Sequence, residues 1–297
     1  MEAPFEGDWH RPAQEYYFED FKSVGFTTAR IPIRWDNHTG TSPPYTVNTT
    51  WMQRVQTVVG WCLSQGLQCI INSHWDTWLD QADDAAFQAA LPRYQAIWEQ
   101  VAAAFAGASP SLFFESYNEP HLMSTASLNT MLSTFHAAVR PLRPTRLLIL
   151  GWLNYMSPSW VQEDGAANWN AMAIPGGGAD PNLAVETHSY DPYEVCGKGT
   201  EPWGKPSDVA AMHAMFGNTS LWSAQHGGLP VFMGECGCTS KQNRTGRLAW
   251  YSDFFGLVKS LPGQGGGGLV WDDEGNYEVY NRSARTFDEG ILAAIGL

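Results

Sequence analysis

Two glutamates in this chain stand at the ends of short β-rich runs: Glu119 follows Ser111–Asn118, and Glu235 closes Val231–Glu235. Two facing carboxyl groups can divide acid and base work, one giving a proton while the other stays an anion. Hydrolysis of a glycosidic bond needs such a pair, a proton donor for the leaving oxygen and a carboxylate for the anomeric carbon. A separation of about 5–5.5 Å makes the second carboxylate a nucleophile and the outcome retention. Either glutamate alone is equally well explained as a strand-end residue in a salt bridge. Their company carries more weight. Asn118 stands beside Glu119, and Arg30, His74, Trp152, His188 with Tyr190, and Trp271 stand toward the ends of other β-rich runs, where packing alone would place Val, Ile or Leu.

The elements that would position these residues alternate along the chain. Strands are predicted over Phe26–Trp35, Leu67–His74, Ser111–Asn118, Arg146–Trp152, Leu183–Tyr190, Val231–Glu235 and Gly267–Asp272. Between and after them lie helical patterns over Trp51–Gln65, Ala85–Ala106, Thr125–Arg140, Asp208–Phe216, Leu221–His226, Arg247–Lys259 and Glu289–Ile295. Such alternation argues for parallel βαβ units. The length of 297 residues suits one (β/α)8 TIM barrel, typically ~250 residues. No boundary marks a second domain, so residues 1–297 read as a single catalytic barrel. In this class the active site lies at the C-terminal strand ends. If an eighth strand is counted ahead of these seven, Glu119 and Glu235 end the fourth and seventh strands, which face each other across the mouth.

The net charge of −13 opposes binding to nucleic acid or anionic membrane, and no apolar run reaches membrane-spanning length. A neutral sugar carries no such penalty. Among the 14 Trp, Trp35, Trp75, Trp78, Trp152 and Trp203 fall in or beside predicted top loops. They are candidate platforms for sugar rings, with helix packing an equal alternative. Cys62, Cys69, Cys196, Cys236 and Cys238 lack zinc-finger context and suggest one or two disulfides plus a free thiol. Asn37, Asn48, Asn218, Asn243 and Asn281 head Asn-x-Ser/Thr sequons in predicted loops or helix starts, which points to a secretory route. Gly263-Gln-Gly-Gly-Gly-Gly268 satisfies G-x-G-x-x-G but follows a helix and precedes a strand, so it reads as a turn and not a dinucleotide site.

In order along the chain stand Arg30-Ile31-Pro32, Asn72-Ser73-His74, Tyr117-Asn118-Glu119-Pro120, His188-Ser189-Tyr190, Met233-Gly234-Glu235-Cys236-Gly237 and Trp271. This set resembles glycoside hydrolase family five, the cellulase family within the retaining (β/α)8 clan, and the resemblance covers nearly the whole chain. It implies Glu119 as general acid/base and Glu235 as nucleophile, with Arg30 and Tyr190 hydrogen-bonding Glu235. It implies that Asn118 binds the sugar 2-hydroxyl, that His74 and His188 hold hydroxyls and orient the carboxylates, and that Trp271 stacks under the sugar at the cleavage point. No cofactor and no metal are implied; His74, His121 and His188 lack the spacing of a metal site.

The implied function is a retaining endo-β-1,4-glucanase acting on cellulose or a related β-linked polysaccharide or oligosaccharide. The alternatives are a β-mannanase, a xyloglucanase or another β-glycanase of the family, or a weakly active or non-catalytic sugar-binding barrel. The family pattern begins with a strand reading roughly Gly-x-Asn-x-Gly-Asn-Thr before Glu-Ala-Pro, whereas this chain opens at Met1-Glu2-Ala3-Pro4. The expectation is a barrel lacking its first strand, with that strand and an export signal upstream of a secreted, extracellular protein. An open barrel would leave strand edges at Arg30 and Trp271 able to pair between chains into oligomers. It would also loosen positioning, which predicts activity below that of a relative carrying the strand.

Overall fold

The computed structural model describes residues 1–161, 171–263 and 267–297. Among these, one sheet has seven strands: β1 (Thr28–Ile31), β2 (Gln68–Ile71), β3 (Leu112–Glu115), β4 (Leu148–Gly151), β5 (Leu183–Ser189), β6 (Val231–Cys236) and β7 (Gly268–Val270). They lie in sequential order, β1 to β7, and the pairs β1–β2, β2–β3, β3–β4, β5–β6 and β6–β7 are parallel. The fold is α/β, with the strand order of a (β/α) barrel. Among the described residues no strand precedes α1 (Glu15–Ser23). Arg34 N donates to Met1 O at 3.1 Å, so the backbone of Met1 lies beside the segment that follows β1. Residues 264–266 of the glycine-rich run lie outside the described residues.

The remaining helices are α2 (Thr49–Ser64), α3 (Asp84–Ala104), α4 (Thr125–Val139), α5 (Tyr193–Cys196), α6 (Pro206–Gln225), α7 (Arg244–Val258) and α8 (Glu289–Ile295). Short polar residues start several of them. Asn48, Asp83, Ser124, Asn243 and Asp288 each accept a backbone N–H of the first turn, which satisfies a donor that the helix itself leaves unpaired. Two of the sequon asparagines, Asn48 and Asn243, are therefore N-caps. The predicted short helices Asp208–Phe216 and Leu221–His226 are one helix, α6, and Asn218 lies inside it. Gly217 costs such a helix about 1 kcal/mol. The buried row Met212, Met215, Phe216, Thr219 and Trp222 runs through that point and outweighs it.

The chain divides into two compact units, Met1–Met156 with Asn170–Ala184, and Ser157–Trp169 with Val185–Leu297. The core of the first is built on Trp98 of α3, whose ring lies 5.6 Å from Phe114 of β3 and 4.6 Å edge-on from Phe135 of α4. The core of the second is built on α6 and α7, with Trp250 stacked on Phe254 at 4.5 Å and Phe216 edge-on to Phe254 at 5.1 Å. One disulfide, Cys196–Cys238, ties α5 to the segment after β6. Cys62, Cys69 and Cys236 are free and buried. No helix among the described residues is long and apolar enough to cross a membrane.

Candidate active site

The first unit presents Arg30, His74, Asn118 and Glu119 at or beyond the C-terminal ends of β1, β2 and β3. Arg30 is fixed by Glu115, the last residue of β3. Its Nε and Nη2 donate to the two carboxylate oxygens at 2.6 and 2.8 Å, and Nη2 also donates to Asn118 Oδ1 at 2.7 Å. Both side chains of the ion pair are buried, and the bidentate geometry is the strong, directional form of the interaction. Asn72 joins the network. Its Nδ2 donates to Glu115 at 2.9 Å and lies 3.1 Å from His74 Nδ1, while its Oδ1 accepts Ile33 N. An amide donor facing Nδ1 puts the His74 proton on Nε2, which lies 3.4 Å from a Glu2 carboxylate oxygen. Burial raises the Glu2 carboxyl above its ordinary value.

Glu119 is held by its backbone. It adopts the left-handed region at φ 51, a conformation that costs a non-glycine residue about 1–3 kcal/mol. Its N–H points at Met156 Sδ, 3.2 Å away. The turn that brings Met156 there, Asn154–Tyr155–Met156, has three consecutive residues at φ 57, 58 and 57. Beyond Glu119, the buried carboxylate of Asp80 accepts the N–H groups of His121, Leu122 and Met123 at 3.1, 3.0 and 2.9 Å. The His121 ring donates from Nδ1 toward Glu119 O at 2.9 Å and Asp80 Oδ2 at 3.1 Å, and it stacks on Tyr155 at 4.2 Å. Deeper in the unit Asp76 is fully buried. It accepts Trp35 N, Asp36 N and Ser73 Oγ, and burial nevertheless pushes its carboxyl up to about 7.

The second unit presents His188, Tyr190, Glu235 and Trp271. Tyr190 Oη donates to Glu235 Oε1 at 2.6 Å, and His188 Nδ1 is 3.8 Å from Glu235 Oε2. His188 Nε2 lies 2.9 Å from Oε1 of Glu186. Tyr190 packs edge-on against Tyr277, ring centroids 5.0 Å apart. Burial pushes the Tyr277 hydroxyl up to about 12, and that hydroxyl donates to the carbonyls of Cys196 and Gly197. The Trp271 backbone N–H donates to Cys236 O at 2.8 Å, and its side chain is half-buried. Each unit thus gathers its own predicted residues at strand ends. The predicted Tyr190–Glu235 hydrogen bond is present, and in the first unit Arg30 donates to Glu115 and Asn118.

The structure corrects two of the five tryptophan platforms. Trp35 and Trp152 are fully buried, with Trp35 Nε1 donating to Asn72 O. Trp78 is covered by the Arg93 guanidinium at 4.4 Å, and Trp203 Nε1 donates to Asp253. Trp75 alone of the five is open, 48 % exposed and edge-on to the equally exposed Trp9. Sequence reasoning missed Glu115, Asp80 and Glu186. Each is an acid in or beside an apolar segment, and Glu186 stands two residues before His188, on the same face of its strand.

Parallel strands in sequential order, with ionisable side chains at strand ends in each unit, define a (β/α)-barrel class of fold. The chain belongs to the cellulase family, glycosyl hydrolase family 5, whose family model matches residues 2–271. It is 36% identical over 302 residues to Endoglucanase H of Acetivibrio thermocellus, covering 99% of this chain and 31% of that protein. It is 28% identical over 276 residues to Endoglucanase A of Paenibacillus barcinonensis, covering 81% of this chain and 68% of that protein. The chain therefore spans about a third of the length of the Acetivibrio protein. Among solved structures, Thermotoga maritima Cel5A in complex with cellobiose aligns with a TM-score of 0.89 at 26% identity, over 99% of this chain and 94% of that one.

Proposed function

We propose that this chain is a retaining endo-β-1,4-glucanase in which Glu119 is the general acid/base and Glu235 the nucleophile. The observation that carries the reading is the setting of Glu235. A short hydrogen bond from Tyr190 stabilises the charged form of a buried carboxylate, which is the form that attacks an anomeric carbon. The relatives named endoglucanases and the solved complex with cellobiose support a β-1,4-linked glucan as substrate.

In the first step Glu119 gives its proton to the leaving glycosidic oxygen while a Glu235 oxygen forms the bond to the anomeric carbon. In the second, Glu119 takes a proton from water, whose oxygen displaces Glu235 from that carbon. Asn118, aimed by Arg30, would meet the 2-hydroxyl, His74 and His188 would hold neighbouring hydroxyls, and Trp271 would lie under the sugar. The Cys196–Cys238 bond supports maturation in an oxidising compartment, in keeping with a secreted protein.

The test is a panel of cellulose, mixed-linkage glucan, xyloglucan and mannan with product analysis, run on the wild type and on Glu235→Gln. The expected result is internal cleavage of β-1,4-glucan, a first product of retained β configuration, and no turnover by the variant although binding remains. Inverted product or full activity of Glu235→Gln overturns the mechanism. Preference for mannan overturns the substrate; the Thermotoga protein has also been solved in complex with mannotriose.

A further inference from the structure

The buried acid Glu186 belongs to none of the motifs above, and its surroundings give it a role. It lies in β5, whose seven residues are all buried, and its side chain is fully excluded from solvent. A carboxylate in such a place needs a partner, and here Nε2 of His188 lies 2.9 Å away. An ionised carboxylate only accepts, so the contact assigns the ring proton to Nε2. The other nitrogen, Nδ1, is then the one turned to Glu235, at 3.8 Å from Oε2. The ring is held between two glutamates, with the deeper one deciding its orientation.

The neighbouring strand is shaped around that deeper carboxylate. Thr187 pairs with Met233 but His188 pairs with Glu235, so the register slips by one residue between them and Gly234 is the extra residue of a bulge. Without the slip, Met233 and Glu235, two apart on a strand, would share a face. The bulge breaks that rule, which is a recurrent use of bulges beside reactive groups. Glu186 fills the space on the inside of the bulge. A Cβ placed on Gly234 would lie 1.9 Å from Glu186 Oε1 and 2.1 Å from its carboxyl carbon. The glycine that precedes the reactive glutamate is thus explained by the acid packed against it.

We infer that Glu186 is a positioning residue for the proposed nucleophile. It fixes the proton and the plane of His188, and through His188 and the Gly234 bulge it sets where the Glu235 carboxylate points. This rests on the reading of Glu235 as nucleophile. It adds an acid that never touches substrate and acts through the imidazole, as the buried acid of a catalytic triad acts through its histidine.

The test compares Glu186→Leu, which keeps the volume and removes the acceptor, with Glu186→Gln, whose side-chain oxygen still accepts Nε2–H. The expected result for Glu186→Leu is a loss on the order of 10²-fold in kcat with little change in KM. Glu186→Gln should lose less than about tenfold, on the same ground that its acceptor remains. Gly234→Ala, which evicts the carboxylate, should resemble Glu186→Leu. Long-range 1H–15N NMR of the His188 ring supplies a readout independent of turnover: a proton on Nε2 in the wild type and in Glu186→Gln, and an altered tautomer in Glu186→Leu. Wild-type kcat in Glu186→Leu, or a wild-type ring with Nε2 unprotonated, overturns the inference, and the NMR result holds even where the leucine variant fails to fold. Full activity of Glu235→Gln would instead overturn the reading beneath it, so the two failures are distinguishable.

Discussion

In the second unit the carboxylate of Glu235 is buried, bound by a tyrosine hydroxyl and faced by an imidazole that a further acid braces. In the first unit Glu119 is half-buried, and its main chain is fixed by its own left-handed φ, the Met156 sulfur behind its N–H, and the loop that Asp80 gathers just beyond it. The contrast matches the two chemical duties proposed for them. A nucleophile must remain charged and aimed at one carbon, so side-chain hydrogen bonds to its charged form are the useful constraint. An acid/base must give a proton to a leaving oxygen and later take one from water, so its carboxyl oxygens must stay accessible while its Cα is fixed. The second unit bonds the Glu235 carboxylate directly, and the first fixes the Glu119 main chain.

Substitutions that act on the carboxylates should separate these duties most sharply. Glu235→Gln should cost about 10⁴-fold or more in kcat on every substrate, because in the proposed reaction no other group forms the covalent intermediate. Glu119→Gln should cost about 10²–10⁴-fold on polysaccharide and markedly less in the first step with an aryl glycoside whose leaving group departs without a proton. Steady-state and burst kinetics on both substrates check this. Equal losses for the two variants on the aryl glycoside would erase the contrast.

The next effect tests whether the main chain really carries Glu119. Asp80→Ala leaves three backbone N–H groups beside His121 without their acceptor. Hydrogen bonds to a charged group are worth about 1.5–3 kcal/mol each, with part recovered by water. Thermal unfolding should therefore show a loss of about 2–4 kcal/mol, and kcat should fall about 10–100-fold through misplacement of the acid. The Tyr190–Glu235 pair lies in the other unit and depends on none of these bonds. An unchanged kcat with an unchanged melting temperature would show that the loop beyond Glu119 is held by something other than Asp80.

The residues in which sequence and structure agree are those that carry a charge or ring to the end of an apolar run. Arg30, His74, Asn118, Glu119, His188, Tyr190 and Glu235 could be found because a strand's last residues are read in order and their types are rare in a core. Glu115 and Glu186 were hidden because a single acid inside a run such as Leu112-Phe113-Phe114-Glu115 looks like a strand boundary. The available signal was need: a buried Arg30 requires an acid, and period two puts Glu186 beside His188. The Gly234 bulge has no local signature, since it depends on which side chain packs against the glycine. The tryptophans failed for a similar reason. Trp35 is buried because Asn72 O waits for its indole N–H, a contact across 37 positions. Helix α1 was overlooked because its cap residue, Gln14, makes no side-chain cap bond and gives the start no distinct mark.

The smallest predicted effect concerns stability alone and extends the contrast below the reacting groups. Asp76 accepts Trp35 N, Asp36 N and Ser73 Oγ, and burial pushes its carboxyl up to about 7 from 3.8. The folded state then binds this proton more tightly than the unfolded chain. The stabilisation is fully present below about 3.8 and is lost as pH rises through about 7, the direction that linkage requires for a raised carboxyl. Asp76→Asn removes the titration and keeps the hydrogen bonds. The amide oxygen can take the Trp35 and Asp36 N–H groups that now share Oδ1. The amide nitrogen can donate to Ser73 Oγ once that hydroxyl turns to accept. Melting temperatures measured between pH 4 and 9.5 should fall more steeply with pH in the wild type than in the variant, and the two curves should run parallel above about 8.5, where Asp76 has finished titrating. Parallel curves across the whole range would mean that the three hydrogen bonds on Asp76 outweigh its burial and that its carboxylate is charged throughout.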